Sequence, residues 1–133
     1  MKRPSRTRPP LSALELEVMN LVWEIGESTS ADIVESFTRR RPLAPTTIRT
    51  VLANIEEKGY LQRVPTTERA LRYRPSFPRE AVATQTMQQL VGRLFGGSSK
   101  LAIAQLLANE ELGADELDEI QKLVTRRRKE LSR

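Results

Sequence analysis

The chain has 133 residues, of which 38% are apolar, and it carries 22 basic side chains against 17 acidic ones. This length fits one domain of usual size, or two very small ones that share a core. Neither cysteine nor histidine occurs, which excludes disulfides, thiolate metal sites and the commonest general base. No apolar run is long enough to span a membrane or to form a signal peptide, so we expect a cytoplasmic protein.

The positive charge is concentrated in the first half of the chain. Residues 1–75 hold 13 basic and 9 acidic side chains, whereas residues 76–133 hold 9 and 8. This bias favours a polyanionic partner for the first half. The opening MKRPSRTRPP has four basic residues and three prolines, which predicts a mobile basic arm over residues 1–10. Such an arm either lies along DNA phosphates or is a solvated tail.

Three helices are predicted after the arm. Ser12 and Glu15 match a capping box before an apolar helical period that ends near Gly26. A second helix follows Thr29 and is bounded by Pro42, and the short polar piece between the two has room for a brief strand. The third helix starts with Pro45 in its first turn and stops at Gly59. Its apolar residues form one narrow stripe: Ile48, Val51, Leu52 and Ile55.

A β-hairpin is predicted directly after the third helix. A polar segment at 65–69 is flanked by residues that favour strands, such as Leu61, Val64, Leu71 and Tyr73. No Asn-Gly pair marks the turn, so its type stays open. Three helices followed by a hairpin in about 65 residues outline a winged helix-turn-helix over residues 11–76, with its wing at 61–75.

The remaining residues, 77–133, read as a helical dimerisation domain. Three helices are predicted at 78–95, at 101–107 and from 113 or 114 to 131, and the middle one is too apolar for a surface helix in so small a domain. Pairing with a second copy would bury this surface, and packing back on residues 1–75 is the alternative. The residues expected to dimerise are Leu90, Leu94, Phe95, Leu101, Ile103, Leu106, Leu107, Leu117, Ile120 and Val124.

The outer face of the third helix suggests a DNA-reading surface. At 100° per residue, short polar side chains point away from the apolar stripe, and the acidic residues come only at the C-terminal end. A helix that enters the major groove needs such a face, although any surface helix has a polar one. The predicted DNA contacts are Thr46, Thr47, Arg49, Thr50 and Asn54 on the helix 45–58, together with Arg63, Arg69 and Arg72 in the wing.

Two other functional classes compete with DNA reading. A winged helix can instead act as a protein–protein interaction module without sequence-specific DNA binding, and such a module would show weak salt dependence. An enzyme is disfavoured because the chain has no histidine, no cysteine, no phosphate-cradling glycine loop and no inward cluster of acids. We therefore expect no catalytic residue, no metal site and no cofactor.

Four segments in order carry a family resemblance, namely LSALELEVMNLVW (11–23), TTIRTVLANIEEKGYL (46–61), ALRYRP (70–75) and RLFGGSSKLAIAQLLANEEL (93–112), followed by ADELDEIQKL. The chain resembles the penicillinase-repressor family of BlaI/MecI type, which also includes copper-responsive repressors. The resemblance covers about residues 11–130. It implies a homodimeric winged-helix repressor that binds a palindromic operator, with Thr46, Thr47, Arg49 and Thr50 in the major groove, wing contacts around Arg69 and dimerisation through 78–131.

The resemblance also raises the question of regulation. In some members a membrane sensor triggers cleavage within the short apolar helix, near Gln105-Leu106 here. This chain does not keep the residue pair associated with that cut, so a sensor protease is expected only as an indirect partner. The copper branch carries a cysteine cluster near its C-terminus, and because this chain has no cysteine, metal sensing of that kind is excluded.

Overall fold

The computed structural model describes residues 8–133 and shows a mostly helical chain with a small antiparallel sheet. It divides into two compact units, the first extending to Gln88 and the second running from Gln89 to Arg133. The predicted fold class is confirmed. In chain order the elements are α1 (Ala13–Ile25), β1 (Ser28–Thr29), α2 (Ser30–Arg40), α3 (Pro45–Glu57), β2 (Leu61–Val64), β3 (Arg72–Pro75), α4 (Arg79–Leu94), α5 (Ser99–Leu107) and α6 (Ala114–Leu131).

The first two helices begin where their capping residues predict. The Glu15 backbone N–H donates to Ser12 Oγ at 3.2 Å, and the Ser12 N–H donates to Glu15 Oε1 at 2.8 Å, which completes the capping box of α1. Thr29 Oγ1 accepts from the Asp32 N–H at 3.1 Å at the start of α2. These local hydrogen bonds satisfy backbone N–H groups of the first turns that have no partner within the helix.

The third helix is fixed by its two ends and by its buried stripe. Pro45 occupies the first turn, where its missing N–H costs nothing. Gly59 follows the helix with a φ of +91°, a backbone conformation that a residue with a side chain rarely adopts. The four predicted stripe residues are all buried in the core of the first unit: Ile48, Val51, Leu52 and Ile55.

The three strands form one sheet in the order β1-β3-β2. Strands β2 and β3 pair antiparallel with Arg63 opposite Tyr73, which confirms the predicted hairpin wing. The brief strand suggested between the first two helices is β1, and it pairs with the other edge of β3. The wing is therefore joined through β3 to the connection between α1 and α2.

The core of the first unit extends beyond the predicted boundary at residue 76. Phe77 is 2% exposed and Val82 is 5% exposed, and both belong to the same buried cluster as the helix stripes. Trp23 Nε1 donates to the Phe77 carbonyl at 2.9 Å. The start of the predicted dimerisation domain thus belongs physically to the first unit, because its large apolar side chains complete that core.

Part of the predicted mobile arm is tied to the end of α3, so this prediction needs correction. Three hydrogen bonds hold residues 8–10, which we call the N-terminal strap. Tyr60 Oη donates to the Pro9 carbonyl at 2.9 Å, Lys58 Nζ donates to the Pro10 carbonyl at 3.0 Å, and Arg8 Nη1 donates to the Lys58 carbonyl at 3.3 Å. The rest of the predicted arm, residues 1–7, lies outside the described residues.

The second unit exposes much of its apolar surface. Helix α5 begins at Ser99, two residues before the predicted start, because Ser98 Oγ accepts from the Leu101 N–H at 3.2 Å and caps it. Helix α6 begins after its N-cap Gly113, as predicted. Within α5 and α6 no residue is buried. The unit has therefore no closed core of its own in the single chain, in contrast to the first unit.

Candidate nucleic-acid interface

The outward face of α3 carries the predicted DNA contacts together. All five are exposed: Thr46 and Thr50 lie opposite the buried stripe, and Thr47, Arg49 and Asn54 flank them. Thr50 Oγ1 donates to the Thr46 carbonyl at 2.9 Å. The Thr50 hydroxyl therefore donates its hydrogen bond within the helix. Its oxygen can still accept a hydrogen bond, and the methyl group remains available for apolar contacts. Within residues 8–133 Arg49 forms no ion pair.

Two of the three predicted wing contacts are held by carboxylates. Arg63 Nε lies 2.7 Å from Glu56 Oε2, which links β2 to the last turn of α3. Arg72 Nε lies 2.8 Å from Glu27 Oε2, which links β3 to the α1–β1 connection. The hydrogen bond that Arg72 donates to Glu27 raises the pKa of Arg72. These two arginines fix the wing against the helices, a role that the sequence did not reveal.

The third predicted wing contact, Arg69, lies in the tip between β2 and β3. It is exposed, and in the described part of the chain it has no carboxylate within ion-pair distance. The tip also contains a local turn in which the Glu68 N–H donates to Thr66 Oγ1 at 3.1 Å. Of the three predicted wing contacts, Arg69 is therefore the one that forms no ion pair among the described residues.

A polar network joins the strap, the start of α1 and the end of α3. Glu15 Oε1 forms an ion pair with Lys58 Nζ, and the carboxylate side chain is only 9% exposed. Burial alone raises the pKa of Glu15, but the hydrogen bonds from Lys58 and Ser12 outweigh it and hold the pKa below the ordinary value. Sequence reasoning missed this pair, because its members lie 43 positions apart.

The predicted dimerisation residues form exposed or half-buried apolar surface. The exposed fractions of individual side chains reach 67% at Leu94 and 60% at Leu106. Phe95 and Ile120 are half-buried. Leu123, which was not predicted, is 58% exposed on α6 and adds to this surface. The other exposed members are Leu90, Leu101, Ile103, Leu107, Leu117 and Val124.

The described part of the chain has neither a cluster of metal ligands nor a membrane-spanning helix. Among residues 8–133, three or more Asp, Glu, His or Cys side chains do not come together in a group that could hold a metal ion. Over the same residues, every helix is too short or too polar to cross a membrane.

Comparison with known proteins decides the family. The family model described as penicillinase repressor matches residues 11–126, which is most of the chain. The chain belongs to the penicillinase repressor family. The resemblance inferred from the four sequence segments is thereby confirmed. Penicillinase repressors are DNA-binding transcriptional repressors and not enzymes.

Individual penicillinase repressors match over nearly the whole chain. The methicillin resistance regulatory protein MecI of Mammaliicoccus sciuri is 22% identical over 117 residues, which cover 88% of this chain and 94% of the relative. The transcriptional regulator BlaI of Mycobacterium tuberculosis is 33% identical over 114 residues, which cover 84% and 80%.

A solved penicillinase-repressor structure confirms the winged-helix fold of the first part of the chain. The solution structure of the DNA-binding domain of the repressor BlaI superimposes with a TM-score of 0.51 at 25% identity. It covers 58% of this chain and 93% of that domain.

Proposed function

We propose that this protein is a homodimeric transcriptional repressor that binds a palindromic operator through α3 and the wing. The observation that carries the proposal is the exposed face of α3. Thr46, Arg49 and Thr50 lie on the surface while the opposite stripe is buried. The helix is thereby held rigidly by the core and presents a polar, uncrowded side outward.

This face matches the chemistry of the major groove. A groove about 12 Å wide admits one α-helix of about 10–12 Å diameter, so only short side chains fit around its leading end. Arg49 has the fork geometry to bond a guanine at O6 and N7, and Asn54 can pair with adenine. The hydroxyl groups of Thr46, Thr47 and Thr50 can bond to phosphates, and their methyl groups can contact thymine methyl groups. The acidic side chains Glu56 and Glu57 come only in the last turn, away from the end that enters.

The wing supplies phosphate or minor-groove contacts. Arg69 is the first candidate, because it is exposed at the tip. Arg63 is paired with Glu56, and Arg72 is paired with Glu27. To contact DNA, each arginine must either leave its carboxylate for a phosphate or donate to the carboxylate and the phosphate at the same time. We therefore assign Arg69 the larger share of the wing contacts.

A homodimer would bury the apolar side chains of the second unit. Leu94, Leu101 and Leu106 are each more than half exposed in the single chain, and a large exposed apolar area is typical of an interaction site. Two paired chains would present two α3 helices about 34–36 Å apart, one helical turn of DNA, to a palindromic operator. Sedimentation equilibrium tests this step, since a chain that stays monomeric at high concentration contradicts it.

The decisive experiment is a gel shift with the purified protein and the DNA upstream of its own gene. We expect salt-sensitive binding, because each neutralised phosphate releases counterions. The salt slope, which is the slope of the logarithm of the binding constant against the logarithm of the salt concentration, steepens by about 0.9 for each such phosphate. Absence of such binding rejects the repressor function. Weak salt dependence together with capture of a protein partner would instead favour the protein-interaction module.

The inducing signal reaches a repressor of this kind in the cytoplasm, where its operator lies. Gln105 and Leu106 lie exposed on α5, the helix that sensor-triggered cleavage affects in some relatives. We propose a membrane sensor protease as a partner that acts indirectly. Immunoblots of cells before and after induction test this, since an intact chain during full induction contradicts proteolysis.

A further inference from the structure

A cavity of about 620 Å³ opens in the first unit between the N-terminal strap, the end of α3 and the base of the wing. Its polar lining comes from Arg8, Gln62, Arg74 and Ser76, and the Phe77 ring contributes to its apolar wall. Within the described part of the chain, the lining residues include no acidic side chain. The cavity is therefore both positively charged and partly apolar.

Both arginines of this cavity bond only to neutral groups. Arg8 Nη1 donates to the Lys58 carbonyl at 3.3 Å, and its guanidinium carbon lies 4.8 Å from the centre of the Phe77 ring. Arg74 Nε donates to Gln62 Oε1 at 3.3 Å. The neighbouring Arg63 and Arg72 differ, since each has a carboxylate oxygen within 2.8 Å of its Nε. Two guanidinium charges thus share one cavity without an acidic partner among residues 8–133.

Two buried polar atoms at this cavity also have no hydrogen-bond partner. They are Arg8 Nε and Ser76 Oγ, and across residues 8–133 they are the ones with this property. Ser76 is only 8% exposed, so its hydroxyl has little access to bulk water. Buried donors without a partner are rare in folded proteins, and a bound water or ion can complete their bonding.

We propose that this cavity binds a phosphate-type oxyanion. A guanidinium group donates two parallel hydrogen bonds to such an anion, and a serine hydroxyl can add a third. The cavity volume lies within the usual range for small-ligand sites. The anion is either a free phosphate group, inorganic or on a small molecule, or a backbone phosphate of duplex DNA. Only the second source rests on the proposed repressor function.

An anion in this cavity would connect the strap with the wing. Gln62 and Arg74 lie directly opposite each other on β2 and β3, at the base of the hairpin, whereas Arg8 belongs to the strap. An oxyanion bonded by both guanidinium groups would bridge these two parts and cancel their mutual repulsion. Occupation of the site would therefore stiffen the base of the wing.

The first test is calorimetric titration of the full chain with sodium phosphate, in sodium chloride that keeps the ionic strength constant. The variants are Arg8→Gln, Arg74→Gln and Ser76→Ala, and the control is Arg39→Gln, whose side chain is 73% exposed on α2. For a free anion we expect saturable binding that Arg8→Gln and Arg74→Gln each weaken at least about tenfold, and that Arg39→Gln leaves unchanged. Equal binding to the parent, to all three variants and to the Arg39→Gln control would be non-specific and counts against a site.

The second test measures operator affinity of the same proteins against salt concentration. If the anion is a DNA phosphate, Arg8→Gln and Arg74→Gln each lower the salt slope by about 0.9, and the control does not. Circular dichroism checks that every variant is folded. Phosphate binding without any DNA binding would reject the repressor function and leave this site standing. The site is overturned if the folded variants change neither phosphate binding nor the salt slope.

Discussion

Arg63 on β2 and Glu56 in the last turn of α3 form an ion pair with 2.7 Å between Nε and Oε2. The pair connects the proposed wing directly to the proposed recognition helix, so that the angle between the two is set by side chains as well as by the chain connection. The Arg63 side chain is 56% exposed, and the pair therefore contributes little to the free energy of unfolding, about 0–1 kcal/mol.

Replacement of Glu56 by glutamine is expected to strengthen binding to DNA. The change removes a negative charge near the phosphates and releases Arg63 for a phosphate contact, so the salt slope should steepen by about 0.9. Fluorescence anisotropy with labelled operator at several salt concentrations measures this. Glu35→Gln, which frees Arg39 on α2 in the same way, is the matched control. A weakened affinity with an unchanged slope would mean that the pair matters for orientation instead.

Replacement of Arg49 by alanine tests the major-groove contact. Arg49 is exposed on α3 with no ion-pair partner among the described residues, and we expect a loss of about 1–3 kcal/mol in operator binding together with relaxed preference at one base pair. Competition against operators mutated one base pair at a time reveals both effects. Arg39→Ala serves as the control. An equal loss on unrelated sequences would identify Arg49 as a phosphate contact.

The Glu15–Lys58 pair predicts a dependence of stability on pH. Because the folded-state pKa of Glu15 is lowered, the pair contributes fully above the ordinary glutamate pKa of about 4.5, and its contribution disappears as the pH falls through the folded-state pKa. Glu15→Gln retains a capping-box residue while it removes the charge. We expect this variant to lose about 1–3 kcal/mol at neutral pH, with the difference from the parent shrinking in acid.

Urea unfolding from about pH 7 to about pH 3 measures this difference. Glu17→Gln is a suitable control, since Glu17 pairs with Arg41 on the surface and its side chain is 49% exposed. A gap between Glu15→Gln and the parent that stays constant across the range would show that the charge of Glu15 does not contribute.

The length of the folded first unit can be tested with fragments. A fragment of residues 8–76 lacks Phe77 and Val82, whereas residues 8–88 include both. Loss of a buried aromatic side chain alone costs about 3–5 kcal/mol, so the shorter fragment should be far less stable or unfolded. Thermal unfolding followed by circular dichroism compares the two. Equal melting temperatures would place these side chains outside the essential core.

The proposed dimer predicts opposite outcomes for two neighbouring residues of α6. Val124 is 54% exposed and lies with the apolar side chains, whereas Thr125 lines the polar face with Asp118 and Lys122. Val124→Glu would bury an unpaired charge in the dimer, and we expect the dimer to weaken at least about a hundredfold. Thr125→Glu should leave it intact. Sedimentation velocity distinguishes them, and equal behaviour would remove Val124 from the interface.

Local chemistry explains why most of the fold was predictable. The capping box of Ser12 and Glu15, the first-turn proline at 45 and the glycine at 59 act within a few residues, so the sequence alone fixes where α1 and α3 begin and end. The exposed face of α3 follows from its buried stripe. The carboxylate partners of the wing arginines were not predictable, because contacts such as the one between Arg72 and Glu27 join residues 45 positions apart. The same holds for the strap, which meets Lys58 and Tyr60 about 50 positions away.

The placement of β3 in the middle of the sheet limits how the hairpin can move. Because β3 bonds to β1 on one edge and to β2 on the other, the hairpin cannot swing as a hinged flap without breaking one of these ladders. The loop between Val64 and Arg72 lies outside both ladders and is not held by them. In the proposed repressor, tolerance for operators of unequal spacing would then originate outside the sheet, because the paired strands keep a fixed shape.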